Sequence, residues 1–256
     1  TITIESGTCR LADPTAAASL TVNGGATLLF TNWSASISAA TITVRSNGVI
    51  THAASATNGA MDNTNRIQLI CTNLVVDANG LIEADGKGFA GGVAARGQGP
   101  GGGQTWVSGG GGGNGGNGGQ GNPGHGYNYG GSSYGSPYAP AAPGSGGGGG
   151  GTGGVGGGAI RIVAYQRAAV NGTIRANGTP GVAGNSGGGS GGSINITCGS
   201  LAGTGAMQAE GGNYSGEGGC GGGGRIAVAY NPAAQAAESP QPSVRFSTTS
   251  RMNAYG

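Results

Sequence analysis

Hydrophobic and polar positions alternate strictly over several stretches of the first third of the chain. The clearest are Thr1-Ile2-Thr3-Ile4, Ser19-Leu20-Thr21-Val22 and Thr41-Ile42-Thr43-Val44. A period of two, rich in Thr, Val and Ile, predicts half-buried β-strands. Asn-Gly pairs at Asn23-Gly24, Asn47-Gly48 and Asn79-Gly80 mark turns between them. No helical period competes in this region, and Ala16–Ala18 is too short to nucleate a helix.

The alternation returns later as a repeat. Gly80-Leu81-Ile82-Glu83-Ala84-Asp85-Gly86, Gly172-Thr173-Ile174-Arg175-Ala176-Asn177-Gly178 and Gly205-Ala206-Met207-Gln208-Ala209-Glu210-Gly211 share the pattern G-x-[I/M]-x-A-x-G. A degraded copy begins at Gly48-Val49-Ile50. A second unit precedes the copies: Ile67-Gln68-Leu69, Ile160-Arg161-Ile162 and Ile194-Asn195-Ile196, with Arg225-Ile226-Ala227-Val228 opening a further round. On a strand the Ile or Met and the Ala share one face. Glu83, Arg175 and Gln208 then form one outward column, and Asp85, Asn177 and Glu210 another. No copy can bury its apolar face alone, so the copies must stack.

Composition divides the chain into zones. Glycine supplies 64 of 256 residues, without the three-residue period of collagen. Residues 1–86 are an N-terminal β region, 87–158 a glycine-rich region of low charge, and 159–256 a C-terminal β-repeat region, either separate from the first zone or continuous with it. From Gly97 to Gly158 there is no charged residue. That tract carries Trp106, five prolines and several tyrosines, which predicts an ordered tract of polyproline-II-like segments bonded side by side. The fold expected is all-β, a parallel β-helix or β-solenoid-like stack with long glycine-rich loops. The alternative is an N-terminal β-sandwich followed by a glycine-rich repeat region.

The rhythm of GGGAIRI…VNGTIRANG, GGSINI…LAGTGAMQAEGG and GGGGRIAVAY resembles the glycine-rich β-repeat regions of large bacterial surface proteins. The likeness covers roughly 65–86 and 158–231, and implies β-helix modules with glycine-rich loops between rungs. The long glycine tract also resembles the polyglycine-type loops of phage tail-fibre tip adhesins.

Chemistry is sparse. The net charge is +2, with one lysine and no basic run, which argues against nucleic-acid binding. No apolar run is long enough to span a membrane as a helix. The chain opens at Thr1 without a charged-then-apolar leader and reads as a processed or trimmed chain. G-x-S-x-G at Ser190 and the many G-x-G-x-x-G matches follow trivially from the glycine content, with no helix behind them. Glu83 and Asp85 would stand about 7 Å apart on one strand face, near the spacing of glycosidase acids. With Asp77 they could also hold Ca²⁺. Mixed chemistry at the equivalent positions of the other copies favours a solvated face instead. No cofactor and no metal site is expected.

Cys9, Cys71, Cys198 and Cys220 form no metal-binding spacing with one another or with His52 and His125. Their even number predicts two disulfides, Cys198–Cys220 and Cys9–Cys71, in an oxidising compartment. Trp106, Tyr127, Tyr129, Tyr134 and Tyr138 either contact a glycan or partner, or pack over the glycine tract as its local core; packing is preferred, because glycine supplies no side chains of its own. Asn32, Asn171, Asn177, Asn195 and Asn213 open N-x-[ST] glycosylation sequons. The leading functional expectation is a non-enzymatic, extracellular or cell-surface structural subunit. It would assemble with copies of itself into a filament, coat or matrix through the edge formed by Thr1, Ile2, Thr3 and Ile4. An adhesin binding surface glycans comes second, and a polysaccharide-degrading enzyme third.

Overall fold

The computed structural model describes residues 1–54, 65–126 and 128–249. Its strands follow one another in seven pairs. The first four are β1 (Ile2–Ile4) with β2 (Gly7–Leu11), β3 (Thr15–Val22) with β4 (Ala26–Phe30), β5 (Ile37–Val44) with β6 (Val49–His52), and β7 (Ile67–Val76) with β8 (Leu81–Glu83). The last three are β9 (Ala159–Val170) with β10 (Thr173–Arg175), β11 (Ser193–Ala202) with β12 (Ala206–Gln208), and β13 (Arg225–Ala229) with β14 (Arg245–Ser247). Odd-numbered strands form one parallel sheet and even-numbered strands a second, both in sequence order among the described residues. The chain therefore alternates between the two sheets and advances one strand position at each round. The strands of residues 1–86 pair directly with those beyond 158, β7 with β9 and β8 with β10, instead of closing into an antiparallel sandwich of their own.

The core lies between the sheets and is built as columns. Ile67, Ile160, Ile194 and Ile226 stack in register in the first sheet. Leu28, Ile50, Ile82, Ile174 and Met207 stack in the second. Ile67, Ile160, Ile194, Ile82, Ile174 and Met207 are all buried, as the repeat pattern predicts. Each such side chain contributes about 1.5–3 kcal/mol by leaving water. Asn47 and Asn79 take left-handed backbone angles (φ 60° and 63°) in the predicted turns, a conformation Asn tolerates better than other residues with a side chain.

A short helix, α1 (Pro232–Ala236), lies between β13 and β14. Asn231 caps it, with Oδ1 accepting from the backbone of Ala233 and Ala234, and Pro232 opens its first turn. The helix sets Gln235 against β11, where Oε1 accepts from Leu201 N at 2.7 Å and Nε2 donates to Leu201 O at 2.9 Å. The side-chain amide thus occupies the place of a neighbouring strand.

Three of the longer connections are glycine-rich. Residues 84–158, 176–192 and 209–224 leave the second sheet after β8, β10 and β12 and return to the first at β9, β11 and β13. Each closes its own base: Gly158 N to Ala84 O, Gly192 N to Ala176 O and Gly224 N to Ala209 O, all at 2.7 Å. Beyond these roots the segments bond to one another. Successive amides point to different neighbours and return to the same neighbour after three residues. Gly109 and Gly112 donate to Asn185 and Gly188, Gly110 and Gly113 to Gln104 and Gly101, and Gly111 to Gly119. A return after three is the signature of about three residues per turn, the polyproline-II repeat. The segments around 109–112, 185–191 and 219–222 close a triangle. Gly188 and Gly191 donate to Gly219 and Gly222, which donate in turn to Gly109 and Gly112. The glycine tract is ordered by lateral backbone bonding, as its composition predicts.

No disulfide joins the four cysteines, which corrects the expected pairs. Arg225 is in register with Ser193, and Cys198 lies five residues beyond that point while Cys220 lies five residues before it. Ten residues of extended chain separate them, roughly 30 Å. Cys9 is exposed on β2 of one sheet, while Cys71 is buried on β7 of the other. Cys71 and Cys198 share a column but flank Ala164. Two strand spacings make about 10 Å, beyond the reach of a disulfide. Burial pushes the Cys71 thiol up to about 12 and the Cys198 thiol up to about 11.

Two outcomes are expected. A Cβ on Gly187 would lie 2.1 Å from Gly110 O, whereas one on Gly119 finds its nearest neighbour at 3.1 Å. Gly187→Ala should therefore lower stability by about 3 kcal/mol or more, and Gly119→Ala by no more than about 1 kcal/mol, in thermal or denaturant unfolding. Native alkylation with iodoacetamide should add one label, at Cys9, and denatured alkylation four, read by mass spectrometry.

Candidate functional site

The lattice segments run outward from the loop roots and turn at a common far end. Those turns comprise residues 93–96, 105–108, 122–126, 150–152, 182–185 and 214–217. Bonds between them join the turns into one surface. Val93 and Ala183 both bridge to Thr152. Thr105 Oγ1 donates to Gly149 O at 2.8 Å, Asn122 N to Glu217 O at 2.9 Å, and Glu217 N to Asn185 Oδ1 at 3.2 Å.

This surface carries apolar side chains. Trp106 is 69% exposed, Val93 70% and Val182 74%, with Val107 and Tyr129 also exposed. The Trp106 ring lies against the backbone at Gly126, where an added Cβ would stand 3.2 Å from its Cδ1. Exposed apolar groups gathered in one place mark interaction surfaces, whereas scattered ones do not. Two residues other than glycine, Ala94 and Asn185, hold left-handed angles in these turns (φ 46° and 53°). The Ala94 conformation costs about 1–2 kcal/mol, and strain of this kind gathers where binding is organised.

The sequence named only part of this surface. Trp106 and Tyr129 belong to it. Tyr134 turns inward instead: its hydroxyl donates to Pro143 O and accepts from Ser145 Oγ at 2.9 Å, and burial pushes its pKa up. Tyr138 is 90% exposed, on a segment beside the loop roots, where Ser193 Oγ donates to Ala142 O. Tyr127 lies outside the described residues. Tyr134 is thus engaged within the glycine tract, Trp106 lies against Gly126 with most of its surface exposed, and Tyr129 and Tyr138 are exposed. Val93, Val107 and Val182 went unnamed. Their only signal is an isolated valine in a turn of small or polar residues, as in Val93-Ala94-Ala95-Arg96 and Val182-Ala183-Gly184-Asn185.

The acidic candidates are engaged elsewhere. Arg175 Nη2 bonds Glu83 Oε2 at 2.7 Å, and its Nε stands 3.0 Å from Asp85 Oδ2 without hydrogen-bond alignment. Asp85 Oδ1 accepts from Asn177 N at 2.7 Å, and Asp77 pairs with Arg45. Burial pushes the Asp85 carboxyl up, partly offset by the Asn177 backbone bond and the charge of Arg175. Among the described residues no group of three His, Cys, Asp or Glu side chains is placed to hold a metal ion.

Of the sequons, Asn32, Asn171 and Asn213 are exposed, and Asn195 is half-buried on β11. Asn177 is half-buried, and its Oδ1 accepts from Glu210 N at 2.8 Å. Thr1, Ile2, Thr3 and Ile4 lie at the outer strand of the first sheet, with Ile4 buried against the core.

His52 is buried in the core opposite Phe30. Its Nδ1 bonds Ala53 O at 2.8 Å. Its Nε2 has no partner among the described residues and faces the backbone at Gly158. Burial lowers its pKa to about 4, with the Ala53 bond opposing and Lys87 adding slightly. In comparisons with protein-family models, curated proteins and solved structures, none matches this chain.

A depressed histidine favours the fold while it is neutral in both states. Stability should be full above about pH 6.5 and fall as the pH drops toward 4, by on the order of 3 kcal/mol. Unfolding midpoints measured across that window should show the decline in the native chain and a flatter profile in His52→Leu.

Proposed function

We propose that the chain is a non-enzymatic extracellular recognition module, an adhesin, in which a two-sheet β-solenoid carries a glycine lattice and the lattice tips contact the partner. The observation that carries this reading is the exposed group of Val93, Trp106, Val107, Tyr129 and Val182 at the common far end. Charged tip residues are few, Arg96 and Glu217. Aromatic and aliphatic side chains with little charge are the chemistry of a protein-interface core. Valines add little to sugar recognition, so an apolar protein surface is the better occupant, with a glycan tested beside it. Arg175 beside Glu83 and Asp85 supports a structural use of those acids over a catalytic one.

Assembly through β edges is the second reading, favoured by the outermost position of Thr1–Ile4. Set against it is α1, because β1 is in register with Leu20–Val22, and that column ends at Leu201, where Gln235 already occupies the edge.

Trp106→Ala should reduce binding of fluorescent protein to a responsive cell surface at least tenfold, with the unfolding midpoint unchanged. Protease treatment of the cells should abolish binding if the partner is a protein, and periodate if it is a glycan. Unaltered binding by the variant would refute the tip reading. Deleting Thr1–Ile4 should leave the sedimentation coefficient monomeric in both forms; loss of a large assembly would restore the filament.

A further inference from the structure

The outward face of the first sheet, remote from the tips, carries two arginines beside an apolar trough. Arg161 is exposed on β9, and Gln68 on β7 is in register with it. Arg66 lies two residues before Gln68, just before β7 begins, which sets it close to Arg161. The charge of Arg161 reaches Arg66, lowering its pKa, though less than burial does. Neither forms an ion pair with a described residue. Arg66 is held in place, its Nε donating to Trp33 O at 2.9 Å and its guanidinium 4.7 Å from the Trp33 ring centre.

Further along the same strands lies a trough of about 410 Å³. Ala16, Ala40 and Ile70 are among the residues that line it, Ser38 and Thr72 add hydroxyls, and Tyr165 stands at its side, 70% exposed. Arg161 and Tyr165 are four residues apart on one strand, roughly 13 Å. A cationic pair at one end of an uncharged trough, with a ring at its side, complements a linear ligand carrying acidic groups on an otherwise neutral chain. Nucleic acid and anionic membrane would call for a broader basic stripe than two arginines.

We propose that this face binds an acidic polysaccharide, with Arg161 and Arg66 taking its carboxylate or sulfate groups and Tyr165 stacking on a sugar ring over the trough. Arg161 gives the site its accessible charge, and Arg66 is pre-positioned by Trp33. The site is independent of the lattice tips and stands whether or not they bind a protein.

The test is equilibrium binding of labelled polygalacturonate, dextran sulfate, neutral dextran and single-stranded DNA to the full chain. One or both acidic polysaccharides should bind, dextran and DNA should not, and affinity should fall as salt rises from low to high. Arg161→Gln and Tyr165→Ala should each weaken binding at least tenfold, without a change in unfolding midpoint. Arg245→Gln removes the same charge from the other sheet and should have no effect. Failure of both acidic polymers to bind, equal binding of dextran or DNA, or equal losses in Arg161→Gln and Arg245→Gln would overturn the proposal.

Discussion

Hydrogen bonding between neighbouring parallel strands sets the spacing from which the rest of this molecule follows. Each strand stands about 4.8 Å from the next, and the roots of the three long loops inherit that spacing because they continue β8, β10 and β12. Within a sheet, side chains escape above and below the plane. In the lattice, neighbours bond on several sides at once, and no direction is left for a side chain. A Cβ on Gly111 would lie 1.8 Å from Cys220 O, and one on Gly219 1.9 Å from Gly119 O. Glycine is required there because it has no side chain, and for the most part not for left-handed angles: Gly111 and Gly219 both lack them.

A lattice of backbone must satisfy its own polar groups, since an unpaired buried amide is costly. Segments of unequal length leave gaps, and small polar side chains fill several of them. Ser190 Oγ accepts from Ser145 N at 2.8 Å and donates to Gly113 O at 3.1 Å. Asn114 Nδ2 donates to Gly191 O at 2.9 Å. These buried residues complete the bonding network that glycine alone leaves open, and the tips gain a cross-linked base without a hydrophobic core beneath them. The same logic appears at the end of the first sheet, where the Gln235 amide satisfies Leu201.

The two proposed binding surfaces use different parts of this construction. The tips exploit the lattice, which projects side chains far from the sheets on bonded turns. The trough exploits the long strands of the first sheet, where the register shifts between Cys71 and Asn73 and between Cys198 and Ser200.

The strands and their facing were legible because a period of two is local: Ile82, Ile174 and Met207 declare their burial through their neighbours in sequence. The order of the glycine tract was legible in outline, from the absence of charge and the presence of Trp106 and proline. The cap at Asn231-Pro232 is also a local signal, set among β-type runs. What the sequence could not show was which segments become neighbours. Glycine carries no side-chain identity, so one stretch of it pairs as readily with another, and only the shared spacing of the loop roots selects Gly109 with Asn185 or Gly188 with Gly219. For that reason Cys198 and Cys220, close in sequence, ended far apart. Val93, Trp106 and Val182, drawn from loops up to ninety residues apart, ended on one surface, because the far end of a lattice is defined by the packing of all its segments and by no single one of them.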